Sequence, residues 1–186
     1  MDVGRLSDRE RNDIAMKVKA QSPAEMLERL NENLVRVLKQ KDENTLNRDG
    51  MDVALCGIEE INSHEMKVTF SGAKRPLYYI TPSDKKLIEI KGSRKSIGGY
   101  QPKEKPFVNI ELILEKGTVI YLTTDGFADQ NNDAGKKFGS PALRQLLEEV
   151  WQYPLDKQHE SLGKIFKMHS GSQPQRDDVA IIGIKL

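Results

Sequence analysis

The run Val119-Ile120-Tyr121-Leu122-Thr123-Thr124-Asp125-Gly126 constrains this chain more than any other stretch. Its apolar, β-branched residues predict a strand too apolar to face water, and that strand ends in Asp-Gly, which leaves one carboxylate at a strand tip. A second apolar strand, expected over 179–184, opens directly after the acidic pair Asp177-Asp178 and the turn-prone Gly171-Ser172-Gln173-Pro174-Gln175. Two core strands thus each carry acid at one end.

Other elements are readable around these two. Ser22 as N-cap, Pro23 in the first turn and Glu25 closing a capping box predict a helix over 22–40. Leu27, Leu30, Leu34, Val35 and Leu38 form its core stripe, and Glu28, Arg29, Glu32, Arg36 and Lys39 form its wet face. Strands are expected at 51–58, 65–71, 76–81 and 86–90, as an antiparallel meander, with 81–85 as a hairpin connection. The glycine- and proline-broken stretch 92–106 reads as a loop. Strands at 107–114 and 118–124 are joined by Glu115-Lys116-Gly117, and helices follow over 142–151 and 155–169. Many antiparallel strands with helices gathered toward both ends of the chain imply an α+β layered β-sandwich with helices on its outer faces. The 186 residues suit one domain over 22–186, preceded by a segment over 1–21 that is helical or disordered.

Composition removes several functions. With 29 basic against 28 acidic residues the formal net charge is +1, so no bulk field recruits nucleic acid or an anionic membrane. Residues 1–12 lack the apolar core of a signal peptide and no window approaches a membrane span, so a cytoplasmic location is expected. Cys56, the one cysteine, reads as a small buried hydrophobe.

The acids admit two readings. Asp125-Gly126 can be a turn in which Asp accepts backbone hydrogen bonds and Gly supplies a positive φ, and Asp177-Asp178 can be a solvated strand entrance offset by Arg176. Alternatively, two oxygen-rich sites suit Mg²⁺ or Mn²⁺, whereas His64, His159 and His169 lack the spacing zinc requires. No nucleophile elbow, P-loop, dinucleotide fingerprint or zincin motif is present. Gly98-Gly99 with Arg94 and Lys95 reads as a charged surface turn before a phosphate contact, and Phe70, Tyr78, Tyr79, Phe107 and Tyr121 as core or cross-strand aromatics before a stacking platform.

Several ordered blocks carry a resemblance. These are Asp49-Gly50-Met51-Asp52-Val53-Ala54-Leu55, Ser71-Gly72-Ala73-Lys74-Arg75-Pro76-Leu77, Ser96-Ile97-Gly98-Gly99, Thr123-Thr124-Asp125-Gly126-Phe127-Ala128-Asp129-Gln130, Lys136-Lys137-Phe138-Gly139 and Arg176-Asp177-Asp178-Val179. From about residue 20 onward the chain resembles the C-terminal two-thirds of a PPM-type, metal-dependent protein serine/threonine phosphatase of the SpoIIE/RsbU-like branch. The resemblance implies a β-sandwich flanked by helices. It also implies a two-ion Mn²⁺ or Mg²⁺ site whose bound water attacks a phosphoserine or phosphothreonine, in place of a protein nucleophile. By motif position Asp125, Asp177 and Asp178 are the implied metal ligands, with Gly126 supporting the site. The implied partner is a phosphorylated regulatory protein of the anti-sigma factor antagonist type. The family's first metal block, an Asp followed by Gly-His-Gly on strands preceding the helix, has no counterpart in 1–21, so an incomplete metal site and open sheet edges are expected. A homo-oligomer or an upstream sensory segment would cover such edges, and the alternative to an enzyme is a non-catalytic regulatory or interaction module.

Overall fold

A computed structural model describes residues 22–40, 49–99 and 105–186. The expectations for 1–21, for most of the polar stretch 41–50 and for 100–104 lie outside the described residues.

Helix α1 (Pro23–Val37) begins as its sequence dictates: Glu25 N–H donates to Ser22 Oγ at 3.4 Å, and Ser22 N–H donates to Glu25 Oε2 at 2.9 Å. It ends before Gln40, because Leu38 takes the C-cap and Lys39 turns left-handed at φ 54°. Its buried face is Ala24, Leu27 and Asn31, while Leu30, expected in the stripe, is 45% exposed. Glu28 is half-buried rather than wet, and it accepts hydrogen bonds from Phe107 N–H (2.6 Å) and Lys95 Nζ (3.3 Å).

The strands are β1 (Gly50–Met51), β2 (Val53–Glu60), β3 (Glu65–Ala73), β4 (Leu77–Ile80), β5 (Leu87–Ile90), β6 (Ile97–Gly98), β7 (Ile110–Glu115), β8 (Val119–Thr123) and, at the end, β9 (Ile181–Lys185). Helices α2 (Gly126–Asp129), α3 (Ser140–Val150) and α4 (Leu155–Ser170) lie between β8 and β9. One sheet has the order β2-β3-β7 and another β5-β4-β8-β9, with β1 and β6 as a separate pair.

Two crossings between the sheets were not legible in the local sequence. The first four main strands are not one meander, because the chain leaves one sheet after β3 and starts the other at β4. Likewise β7 and β8 are not a hairpin: β7 pairs with β3 while β8 pairs with β4 and β9, so the short 115–117 link crosses between layers. Alternation explains why local sequence missed both crossings. Along β8, Val119 and Tyr121 face the helices with Phe127, Leu146 and Leu147, whereas Ile120 and Leu122 face the other sheet with Val68, Phe70 and Leu114. A strand covered on both faces is apolar throughout and carries no mark of its neighbour. α1 covers the outer face of the first sheet, with Leu27 against Ala73, Ile97 and Phe107. The layers are therefore helix, sheet, sheet, helices, the expected α+β sandwich.

Cys56 is half-buried at the edge of the inter-sheet core, and burial raises its thiol pKa. Phe70, Tyr78, Phe107 and Tyr121 are core residues, and Tyr78 stands opposite Tyr121 across β4 and β8. Tyr121 hydroxyl donates to Gln158 Oε1 at 2.7 Å, and its pKa is raised by burial. The broken stretch 92–106 does contain an element, since Ile97 and Gly98 pair with Met51 and Gly50. Lys95 is no surface turn residue: it is 7% exposed and lies 4.1 Å from the centroid of the Phe107 ring. No helix among the described residues is long and apolar enough to cross a membrane.

Candidate functional site

The tip of β8 is built by hydrogen bonds from the chain entering β9. Thr124 N–H donates to Ala180 C=O at 3.0 Å, Ala180 N–H donates to Thr124 Oγ1 at 3.0 Å, and Thr124 Oγ1 donates to Asp178 C=O at 2.9 Å. Asp125 then precedes α2 without capping it through its side chain. Its carboxylate instead takes Arg75: Nη2 lies 2.8 Å from Asp125 Oδ2 and 3.2 Å from Asp52 Oδ2. Asp52 Oδ1 also accepts from Ser96 Oγ at 2.6 Å and lies 3.9 Å from Lys74 Nζ. Three strand connections thus converge on one ionic cluster, from β1–β2, from β3–β4 and from β8–α2.

Arg75 is held by a tight turn. Its N–H donates to Ala73 C=O at 2.7 Å across Lys74, whose φ of 56° lies in the left-handed region that costs a β-carbon residue on the order of 1 kcal/mol. A Cβ on Gly72 would stand 2.2 Å from Arg75 C=O, so only glycine allows this approach. Arg75 Nε is buried without a partner among the described residues, an arrangement that typically costs about 1–3 kcal/mol.

Gly126 acts by lacking a side chain and not through a positive φ. A Cβ there would meet Asp178 C=O at 2.4 Å, so glycine is what lets the acidic segment lie against the Asp125 corner. Asp177 and Asp178 are exposed, and Asp177 Oδ1 accepts from Asp178 N–H at 2.7 Å. Among the described residues no three His, Cys, Asp or Glu side chains form a group able to hold a metal, so Asp125, Asp177 and Asp178 are not gathered into one cluster. The carboxylate that shares a cation with Asp125 is Asp52. Arg176 donates only its N–H, to Gln130 Oε1 at 3.4 Å, among the contacts of the described residues.

Gln130, 1% exposed, is the support that sequence reading passed over. Its Nε2 donates to Pro174 C=O (3.1 Å) and its Oε1 accepts from Arg176, which fixes the approach to Asp177-Asp178. Asp52, Arg75 and Gln130 all sit inside the blocks that carried the resemblance. Partnered charges separated by 23 to 50 residues in sequence leave no local pattern to find them by.

Divalent cations can be tested against this donor set. The oxygens are hard, and a positive Nη2 already stands between the two carboxylates at hydrogen-bond distance. Two carboxylates are hard oxygen donors of the kind that Mg²⁺ and Mn²⁺ accept alongside several retained waters, and here Arg75 Nη2 occupies the position between them.

The sequence pattern of the family described as stage II sporulation protein E (SpoIIE) matches residues 11–186. Among solved structures, the SiaA-PP2C domain of Pseudomonas aeruginosa is 28% identical with a TM-score of 0.73, over 92% of this chain and 63% of that one. The chain therefore spans somewhat less than two-thirds of that domain's length. A bacterial serine phosphatase, solved as a point mutant, is 12% identical, with a TM-score of 0.52 over 98% of this chain and 70% of that one. The Mn-presoaked phosphatase domain of SpoIIE from Bacillus subtilis is 11% identical, with a TM-score of 0.50 over 89% and 74%. These last two share the fold. No curated protein sequence matches the chain. The family match over nearly the whole sequence, on a helix-flanked sandwich of the PP2C phosphatase type, makes this chain a member of the SpoIIE family.

Proposed function

We propose that residues 22–186 belong to a protein serine/threonine phosphatase that hydrolyses a phosphoserine or phosphothreonine on a regulatory protein, of the anti-sigma factor antagonist type. The observation that carries this reading is the convergence of Asp52 and Asp125 on one cationic position at the tip of a core strand, inside a SpoIIE-family chain.

In this reading Asp125 and Asp52 hold Mn²⁺ or Mg²⁺, and Asp177 and Asp178 serve from the neighbouring segment. The bound ion supplies a water that is nucleophilic at neutral pH. The chain's own residues arrange the rest. Ser96 and Lys74 fix the orientation of Asp52, Gly126 admits the acidic segment, and Gln130 holds that segment in place. Arg75 offsets part of the charge of the two adjacent carboxylates, and its guanidinium is a group that would bind phosphate oxygens bidentately.

The test is phosphate release from a phosphoserine peptide with Mn²⁺, with and without chelator, in wild type and Asp52→Asn. A fall of about 100-fold or more in kcat for the variant supports the assignment. Equal turnover in the two proteins overturns it. A non-catalytic interaction module is the second reading, favoured by Arg75 already bridging both carboxylates, and it predicts no release under any condition.

A further inference from the structure

Beside the ionic cluster lies a hollow of about 320 Å³ whose lining includes Lys74, Lys91, Ser93 and Arg94. Its walls are fixed by backbone. Ser93 N–H donates to Gly72 C=O at 2.7 Å and Lys74 N–H donates to Ser93 C=O at 2.8 Å. A Cβ on Gly92 would stand 2.6 Å from Arg75 C=O and 2.8 Å from Gly72 C=O, so glycine there brings 91–94 against the Lys74 turn. Three cationic side chains are thereby held around one concavity. The carboxylate in the lining, Glu89, is drawn to Arg144 Nη1 at 3.3 Å, so it does not compensate them. Lys74 joins the hollow to the candidate site, because its Nζ also reaches within 3.9 Å of Asp52 Oδ1.

We propose that this hollow is a recognition subsite for acidic side chains flanking the phosphorylated residue of a protein substrate. The inference rests on the phosphatase reading and adds to it the charge character of the substrate. The three cations surround a space that fits one or two carboxylates, and a net charge of +1 offers no continuing basic track for a nucleic acid. Lys91 and Arg94 are exposed and pair with no carboxylate among the described residues, so an arriving anion displaces no ion pair there.

Binding, not turnover, tests this, with chelator present and the full chain in solution. The probes are fluorescein-labelled phosphoserine peptides flanked by three glutamates or by three glutamines, followed by anisotropy. Wild type binds the glutamate peptide about tenfold more tightly, and the preference disappears in Lys91→Gln/Arg94→Gln, two exposed changes that leave the fold intact. It also weakens between 50 and 200 mM salt, the range over which screening of exposed charges sets in. Equal affinity for the two peptides in wild type overturns the proposal, as does an undiminished preference in the variant. Full displacement of the peptide by equimolar inorganic phosphate, or tighter binding of a single-stranded oligonucleotide through the same two residues, also overturns it. Because no hydrolysis is read, retained discrimination alongside absent phosphate release would sink the catalytic reading and leave the subsite standing.

Discussion

Replacing Arg75 by Met removes the guanidinium while keeping a stem of similar length, and its cost can be worked from the site. Nη2 makes charge-assisted contacts of 2.8 and 3.2 Å, with Arg75 19% exposed, Asp52 28% and Asp125 47%. Buried contacts of this kind are worth about 1.5–3 kcal/mol each, and this exposure lowers each toward roughly 1. The two Oδ2 atoms that remain lie no farther apart than about 6 Å, where their repulsion is of order 1–3 kcal/mol for an effective dielectric between bulk water and protein surface. Part of that repulsion is relieved by side-chain movement, so the net loss is about 2 kcal/mol. For a domain of this size it lowers Tm by about 4–8 °C. Added Mn²⁺ takes over the neutralising role, and at a hundredfold excess over Kd it returns about 2.7 kcal/mol. The assay is thermal melting followed by circular dichroism, with and without Mn²⁺. A variant within 1 °C of wild type, or one that gains no more from Mn²⁺ than wild type does, refutes the idea that Arg75 stands in a cation's place.

Three further perturbations probe the supports of the site. Gln130→Ala leaves Pro174 C=O and Arg176 N–H without their partner, costs about 1 kcal/mol in a denaturant melt and lowers phosphatase turnover by loosening Asp177-Asp178; unchanged values on both counts would contradict its positioning role. Gly126→Ala drives a Cβ to 2.4 Å from Asp178 C=O and costs about 3 kcal/mol, whereas Gly163→Ala, with open space at its Cβ, is neutral or stabilising. Hydrogen bonds from Ser172 Oγ (2.7 Å) and N–H (3.0 Å) lower the pKa of Asp133. A depressed folded-state value means that this loop clamp is intact above the unfolded pKa and is lost as pH falls through the folded one. Protection of the Ser172 amide, taken relative to its intrinsic exchange rate at each pH, should therefore fall in acid for wild type and show no such pH step in Asp133→Asn, and identical profiles would remove the clamp.

Local chemistry made the elements legible. The capping box set the start of α1, Ser140-Pro141 the start of α3, and the apolar runs gave β8 and the last strand to within two residues. Which strands pair was not legible, because β8 is covered on both faces and its sequence carries no alternation that distinguishes one neighbour from another. The site behaved similarly. Asp125 stood out because acid follows an apolar strand, but its partners Asp52 and Arg75 look like ordinary exposed residues until the fold closes the distance between them. Lys95 reads as a surface cation for the same reason, and the packing of Phe107 over it and its pairing with Glu28 show otherwise.

The most direct test of the account is Mn²⁺ titration by calorimetry, with phosphate release measured on the same sample, in wild type and Asp125→Asn. Saturable binding and turnover that are both lost in the variant are what a functional Asp125 corner predicts. Binding and turnover that survive Asp125→Asn, or a wild type that takes up no ion, would contradict it.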